Sequence, residues 1–76
     1  MNTYKYLDLR VHMDSDFRIV GMWENGVDLG EKAGFMSKPT FPELYERIGL
    51  LGKQGWELVT VSGPPLSPIY HFKQQD

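Results

Sequence analysis

His12 and His71 have the widest chemical repertoire in this chain, and Asp8, Asp14 and Asp16 lie close to the first of them. An imidazole beside carboxylates can hold a divalent cation or move a proton. The two histidines fit no recognised ligand spacing, and the absence of cysteine removes thiolate sites, so no metal or cofactor is expected. Ser15, Ser37, Ser62 and Ser67 fall in turn-prone sequence, and none stands in a nucleophile-elbow pattern. The stretch Gly30-Glu31-Lys32-Ala33-Gly34 has the glycines of a phosphate loop but lacks its Gly-Lys-Ser/Thr end. No pair of carboxylates is set apart for acid–base work. The residues predict no enzyme.

Aromatic side chains offer a second kind of chemistry. Tyr4, Tyr6, Tyr70 and Phe72, with Lys5 and Lys73 beside them, could form one sheet face on which bases stack, or a protein contact surface. The net charge of −2 and eight dispersed basic residues, no two adjacent, argue against a nucleic-acid track. Phe35 and Met36 are the large apolar residues of a glycine-containing loop and could close on a small ligand. Trp56 and Glu57 could clamp a planar ligand. Tryptophan is highly buried on average, which favours Trp56 as a fold anchor with Glu57 on an exposed rim.

The elements that must position these residues belong to one domain, 1–76. A chain this short buries roughly 60% of the surface its unfolded form exposes. Small cores are commonly supplemented by disulfides, metals or association. Without cysteine, association is the leading route, and a reducing compartment suits the composition. Residues 1–6 carry no apolar stretch of signal-peptide length, and no later segment is long and apolar enough to span a bilayer. A cytoplasmic protein without membrane contact is expected.

Residues 4–13 alternate as a strand, with Leu7, Leu9, Val11 and Met13 on one phase and Tyr4 and Tyr6 on the other. The tyrosines imply either a bulge near Tyr6 or a second covered face. Asp14-Ser15-Asp16 marks a turn, and residues 17–23 a second strand with Gly21 at a bulge. Asn25-Gly26 suits a tight hairpin leading to a short strand at 27–29, then a loop at 30–39.

Thr40 and Glu43 form a capping-box pattern, with Pro42 in the first turn. Phe41, Leu44, Tyr45, Ile48 and Leu51 follow at helical spacing. Gly49 and Gly52 imply a close backbone neighbour, and Gly55 a left-handed helix end. Residues 56–62, apolar on both sides, read as a central strand, and 69–73 as the last one. The expected fold is α+β: a small antiparallel sheet of four to five strands, in the order β-β-(β)-α-β-β, with one helix on one face.

The junction Leu51-Gly52-Lys53-Gln54-Gly55-Trp56-Glu57-Leu58-Val59, continued by Thr60-Val61, resembles a small family of bacterial and phage domains of unknown function with the pattern L-G-x-x-G-W-E-L-V-x-V. Tyr4-Lys5-Tyr6 and Tyr70-His71-Phe72-Lys73 match the family's aromatic first strand and aromatic-lysine last strand, with His71 where some members carry an aromatic. The resemblance implies a compact α+β fold and self-association, and no activity.

The expected function is a structural or protein-interaction module. One helix leaves part of the sheet uncovered, and such a face or an edge strand would pair with a second copy or another protein. The alternative is a module binding single-stranded nucleic acid or a small ligand.

Overall fold

The structure, a computed structural model, describes residues 3–32, 34 and 38–75. Five strands and one helix follow in order: β1 (Tyr4–Met13), β2 (Ile19–Glu24), β3 (Val27–Asp28), α1 (Leu44–Lys53), β4 (Glu57–Ser62) and β5 (Ile69–Gln75). The fold is a small α+β unit with an antiparallel sheet of order β3-β2-β1-β5-β4.

Antiparallel partners point to the same side of a sheet, so the register assigns its two faces. Leu7 lies opposite Phe72, Leu9 opposite Tyr70 and Val11 opposite Met22. With Leu44 and Leu51 of α1, Leu7, Leu9, Val11, Met22 and Phe72 make the buried core, and Tyr70, Ile48, Phe41 and Trp56 pack against it. The helix therefore covers the face that carries Leu7, Leu9 and Val11. Tyr4, Tyr6, Asp8, Arg10 and His12 take the other face, so the tyrosine phase marks a second face and not a bulge. The radius of gyration is 13.7 Å and the extents are 50 × 26 × 19 Å. A compact chain of this length would have a radius near 11 Å.

The β2–β3 hairpin turns at Asn25 and Gly26, whose φ values of 49° and 83° match the primed turns that follow strand twist. Asn25 also extends the β1 ladder: its Oδ1 accepts from the Asp8 N–H at 2.9 Å, and its own N–H donates to the Asp8 carbonyl at 2.9 Å. The register slips where His12 faces Gly21 and Met13 faces Ile19, leaving Val20 as the extra residue. The bulge expected at Gly21 is thus one position away. Gly21 answers a different need, because a Cβ there would meet the indole of Trp23, with Cζ3 at 2.7 Å.

Three features of the helix depart from expectation. Glu43 itself is the N-cap, its carboxylate accepting from Tyr45 N–H at 3.2 Å and Glu46 N–H at 2.9 Å. Thr40 is instead committed to a backbone bridge with Glu31, and Phe41, preceding Pro42, is biased away from helical dihedrals. Tyr45 is exposed and not part of the apolar stripe, which narrows to Leu44, Ile48 and Leu51. Among the described residues Gly49 and Gly52 have open space where a Cβ would stand, so no close backbone there accounts for them.

The helix end follows its sequence. Trp56 N–H donates to the Leu51 carbonyl at 2.9 Å and Gly55 N–H to the Gly52 carbonyl at 3.0 Å, with Gly55 at φ 92°. These are the two bonds of a Schellman motif, which satisfies carbonyls the helix leaves free.

The strand that follows is not central. β4 lies at the end of the sheet, paired among the described residues only with β5, and all six of its residues are exposed. Apolar residues on both of its faces predict burial on both. Here Leu58, Val59 and Val61 are instead 43%, 53% and 49% exposed at a free edge. The centre of the sheet is β1, whose polar phase lies on the uncovered face.

Candidate functional site

The uncovered face gathers the chain's histidines and several of its free polar groups in rows across the strands. In one row Trp23, Arg10, Ile69 and Ser62 are successive cross-strand neighbours; in the next, Asp8, His71 and Thr60. His71 Nδ1 lies 2.8 Å from Asp8 Oδ1, and His71 Nε2 lies 2.7 Å from Ser62 Oγ. The three side chains come from β1, β5 and β4 and form one hydrogen-bonded chain.

His12 finds a different partner. Just ahead of β5, residues 66–68 run beside β1, with Val11 N–H donating to the Pro68 carbonyl at 3.0 Å and Met13 N–H to that of Leu66 at 2.8 Å. This path brings Ser67 Oγ within 2.7 Å of His12 Nδ1. The two histidines therefore do not converge. Among the described residues no group of three or more His, Cys, Asp or Glu side chains could hold a metal ion.

Two shallow cavities, of about 370 and 480 Å³, adjoin on this face and share Arg10, Trp23 and Ile69. The first is completed by Asp8 and the Asn25-Gly26 turn, the second by His12, Pro64 and Ser67. Trp23 forms a wall because Gly21 leaves room for its indole. The Arg10 guanidinium makes no hydrogen bond or ion pair among the described residues, so it stands free beside an indole and an aliphatic side chain.

The aromatic set drawn from the sequence is divided by the sheet. Tyr4 and Tyr6 stand on the uncovered face, where the Lys73 ammonium lies 5.0 Å from the Tyr4 ring centroid. Tyr70 and Phe72 point the other way: Phe72 is a core residue with 2% exposure, and Tyr70 packs against the core. Partial burial raises the Tyr70 phenol above its ordinary value, and the neighbouring Tyr45 adds to the shift. A continuous four-ring platform therefore does not exist, because positions 70 and 72 pair with Leu9 and Leu7 and share their face. Phe35 and Met36 lie outside the described residues. Glu57 is exposed, opposite Lys73, and Trp56 is partly buried against the core, so the two do not form a clamp.

Arg10 and Trp23 escaped the candidate set drawn from the sequence, Asp8 entered it only as a possible cation partner of the histidines, and Ser62 was set aside with the other serines. Asp8 and Arg10 are adjacent polar positions of an alternating strand, and Ser62 precedes a glycine-proline turn. Nothing in their local spacing ties residue 62 to residues 8 and 71; only the β1-β5-β4 order does. No protein-family model matches the chain, and no curated protein or solved structure shows significant similarity to it.

Proposed function

We propose that this chain is a small interaction module that associates with a second copy of itself through the free edge of β4. The observation that carries this reading is the exposure of Leu58, Val59 and Val61 on a six-residue edge strand. A free edge presents unpaired backbone donors and acceptors, a template for another strand. Of the features that blunt such edges, β4 has only Glu57 at its start and the irregularity at Val59. The opposite edge, β3, has two residues and offers little to pair with.

The β4 pattern is self-complementary. In an antiparallel pair centred between Val59 and Thr60, Leu58 of each copy lies opposite Val61 of the other. Both residues stand on the helix-covered face, since they pair with Phe72 and Tyr70. Four apolar side chains would then meet across the two-fold axis, enlarging a core that counts seven buried hydrophobic residues among those described. Sedimentation across a concentration series tests the reading. The wild-type chain should reach dimer mass and Val59→Lys should remain monomeric. A wild-type monomer at every concentration would reject it.

A second reading, as a small-ligand binding module, is supported by the adjoining cavities that share Arg10, Trp23 and Ile69. Their occupant would need an anionic group for Arg10 and a flat or apolar body for Trp23 and Ile69. Native mass spectrometry of protein from its own host distinguishes the readings by the mass retained.

A further inference from the structure

The hydrogen-bonded chain on the uncovered face has a direction. An ionised carboxylate accepts hydrogen bonds and cannot donate them, so the short contact with Asp8 places the His71 proton on Nδ1. In the neutral ring Nε2 is then an acceptor, and its partner at 2.7 Å, the Ser62 hydroxyl, is the donor. A serine O–H pointed at an imidazole that is oriented by a carboxylate is the arrangement that turns a weak nucleophile into a useful one. Asp8 is held for this role on both sides of its peptide by Asn25.

We propose that Ser62 is an acyl-accepting nucleophile, with His71 as its general base and Asp8 as the positioning carboxylate, acting on small esters with good leaving groups. Ser62 is exposed at the end of β4, so a carbonyl can approach from solvent. Ile69, its cross-strand neighbour, offers an apolar surface to the acyl group, and Arg10 follows one strand beyond. Two strand spacings come to roughly 10 Å, a span the extended side chains of Arg10 and a tetrahedral adduct can bridge. The free guanidinium of Arg10 is therefore the cation available to the developing oxyanion.

In the acylation step Ser62 Oγ forms a bond to the ester carbonyl carbon while its proton passes to His71 Nε2. The carbonyl π electrons move to oxygen and return as the bond to the leaving oxygen breaks. The departing alcohol or phenol takes the proton from Nε2. Water then attacks acyl-Ser62 by the same proton route, releasing the carboxylic acid and restoring the hydroxyl, so the sum is ester plus water giving acid plus alcohol.

The chain contains its own comparison. Ser67 is also hydrogen-bonded to an imidazole, but no carboxylate is bonded to His12 among the described residues. Brief treatment of the full chain with p-nitrophenyl acetate, quenched in acid before acyl-Ser62 can hydrolyse and followed by peptide mapping, should place acetyl groups on Ser62 in roughly tenfold or greater excess over Ser67, because both serines face an imidazole and only His71 is oriented by a carboxylate. His71→Gln should abolish the excess, and Asp8→Asn should lower kcat for p-nitrophenolate release while KM is unchanged. Equal labelling of Ser62 and Ser67, or acetyl groups on amines alone, would overturn the proposal without any variant being needed. Undiminished Ser62 labelling in a His71→Gln protein with native circular dichroism would overturn it as well.

Discussion

Arg47 of α1 reaches the sheet at Glu24, the last residue of β2. Its Nη2 donates to Glu24 Oε1 at 2.6 Å, and its Nε donates to the same oxygen at 3.1 Å. Each side chain is 21% exposed, so the pair is screened less than a surface ion pair. It is also a polar tie between the helix and the half of the sheet that β4 and β5 do not reach.

Breaking that tie should destabilise the fold, because the surviving charge would be left partly buried without its partner. Glu24→Gln and Arg47→Met, combined in a double-mutant cycle by urea denaturation, should show a coupling of about 1–3 kcal/mol. A coupling indistinguishable from zero would mean that the contact forms only incidentally.

Much of the architecture was written in local sequence. The alternation of Leu7, Leu9, Val11 and Met13 predicts β1, Asn25-Gly26 predicts the hairpin, and Gly55-Trp56 predicts how the helix ends. Each signal acts within a few residues, where dihedral preferences and side-chain phase decide the outcome. Strand order was not legible. Apolar residues on both sides of β4 are compatible with burial at the centre of a sheet and with exposure at an edge available to a partner. The choice is made by β5 pairing with β1, a contact between opposite ends of the chain.

The candidate site was legible in part. His71 stood out by residue type, but Asp8 and Ser62 acquire meaning only when β1, β5 and β4 lie side by side. The phase of Tyr4 and Tyr6 leaves a bulge and a second face both open, and the unbroken register with β5 decides for the face. Grouping Tyr70 and Phe72 with them fails, because phase on one strand says nothing about register with the next.

Gly49 is an opportunity for stabilisation. It sits inside α1, it is exposed, and an added methyl group would meet nothing within 4 Å among the described residues. Alanine loses less backbone entropy on folding than glycine and favours the helix by about 1 kcal/mol. Gly49→Ala should therefore raise the thermal midpoint. A lowered midpoint would reveal a neighbour for this helix face, such as an associated copy, that needs the glycine.

Tyr70 should make the fold sensitive to alkali. Its phenol is raised above the ordinary 10.0 by partial burial and then by Tyr45, so the folded chain holds that proton more tightly than the unfolded chain. Below pH 10.0 the tyrosine is neutral in both states and the packing contribution is intact. Above it the unfolded chain releases the proton first, and stability falls until the folded-state value is passed. Tyr70→Phe should remove this component, giving a shallower decline above pH 10.0 in thermal denaturation. Parallel curves for the two proteins would show that other groups govern the alkaline transition.

The junction between α1 and β4 makes two demands that can be separated. Trp56 packs its side chain against the core while its N–H closes the helix on the Leu51 carbonyl. Its ring is only partly buried, so Trp56→Ala should cost about 3 kcal/mol, the lower end for aromatic truncation. Gly55 makes the backbone demand. At φ 92° a side chain is strained, and a Cβ would stand 2.7 Å from Gln74 Nε2, which donates to the Gln54 carbonyl at 2.6 Å. Gly55→Ala should cost about 1–2 kcal/mol through strain and displacement of that amide. Gln74→Ala made in the Gly55→Ala background tests the mechanism by chemical denaturation. If the amide is the obstacle, the second substitution should cost less there than in the wild-type chain. Additive losses would assign the whole effect to the left-handed backbone of residue 55.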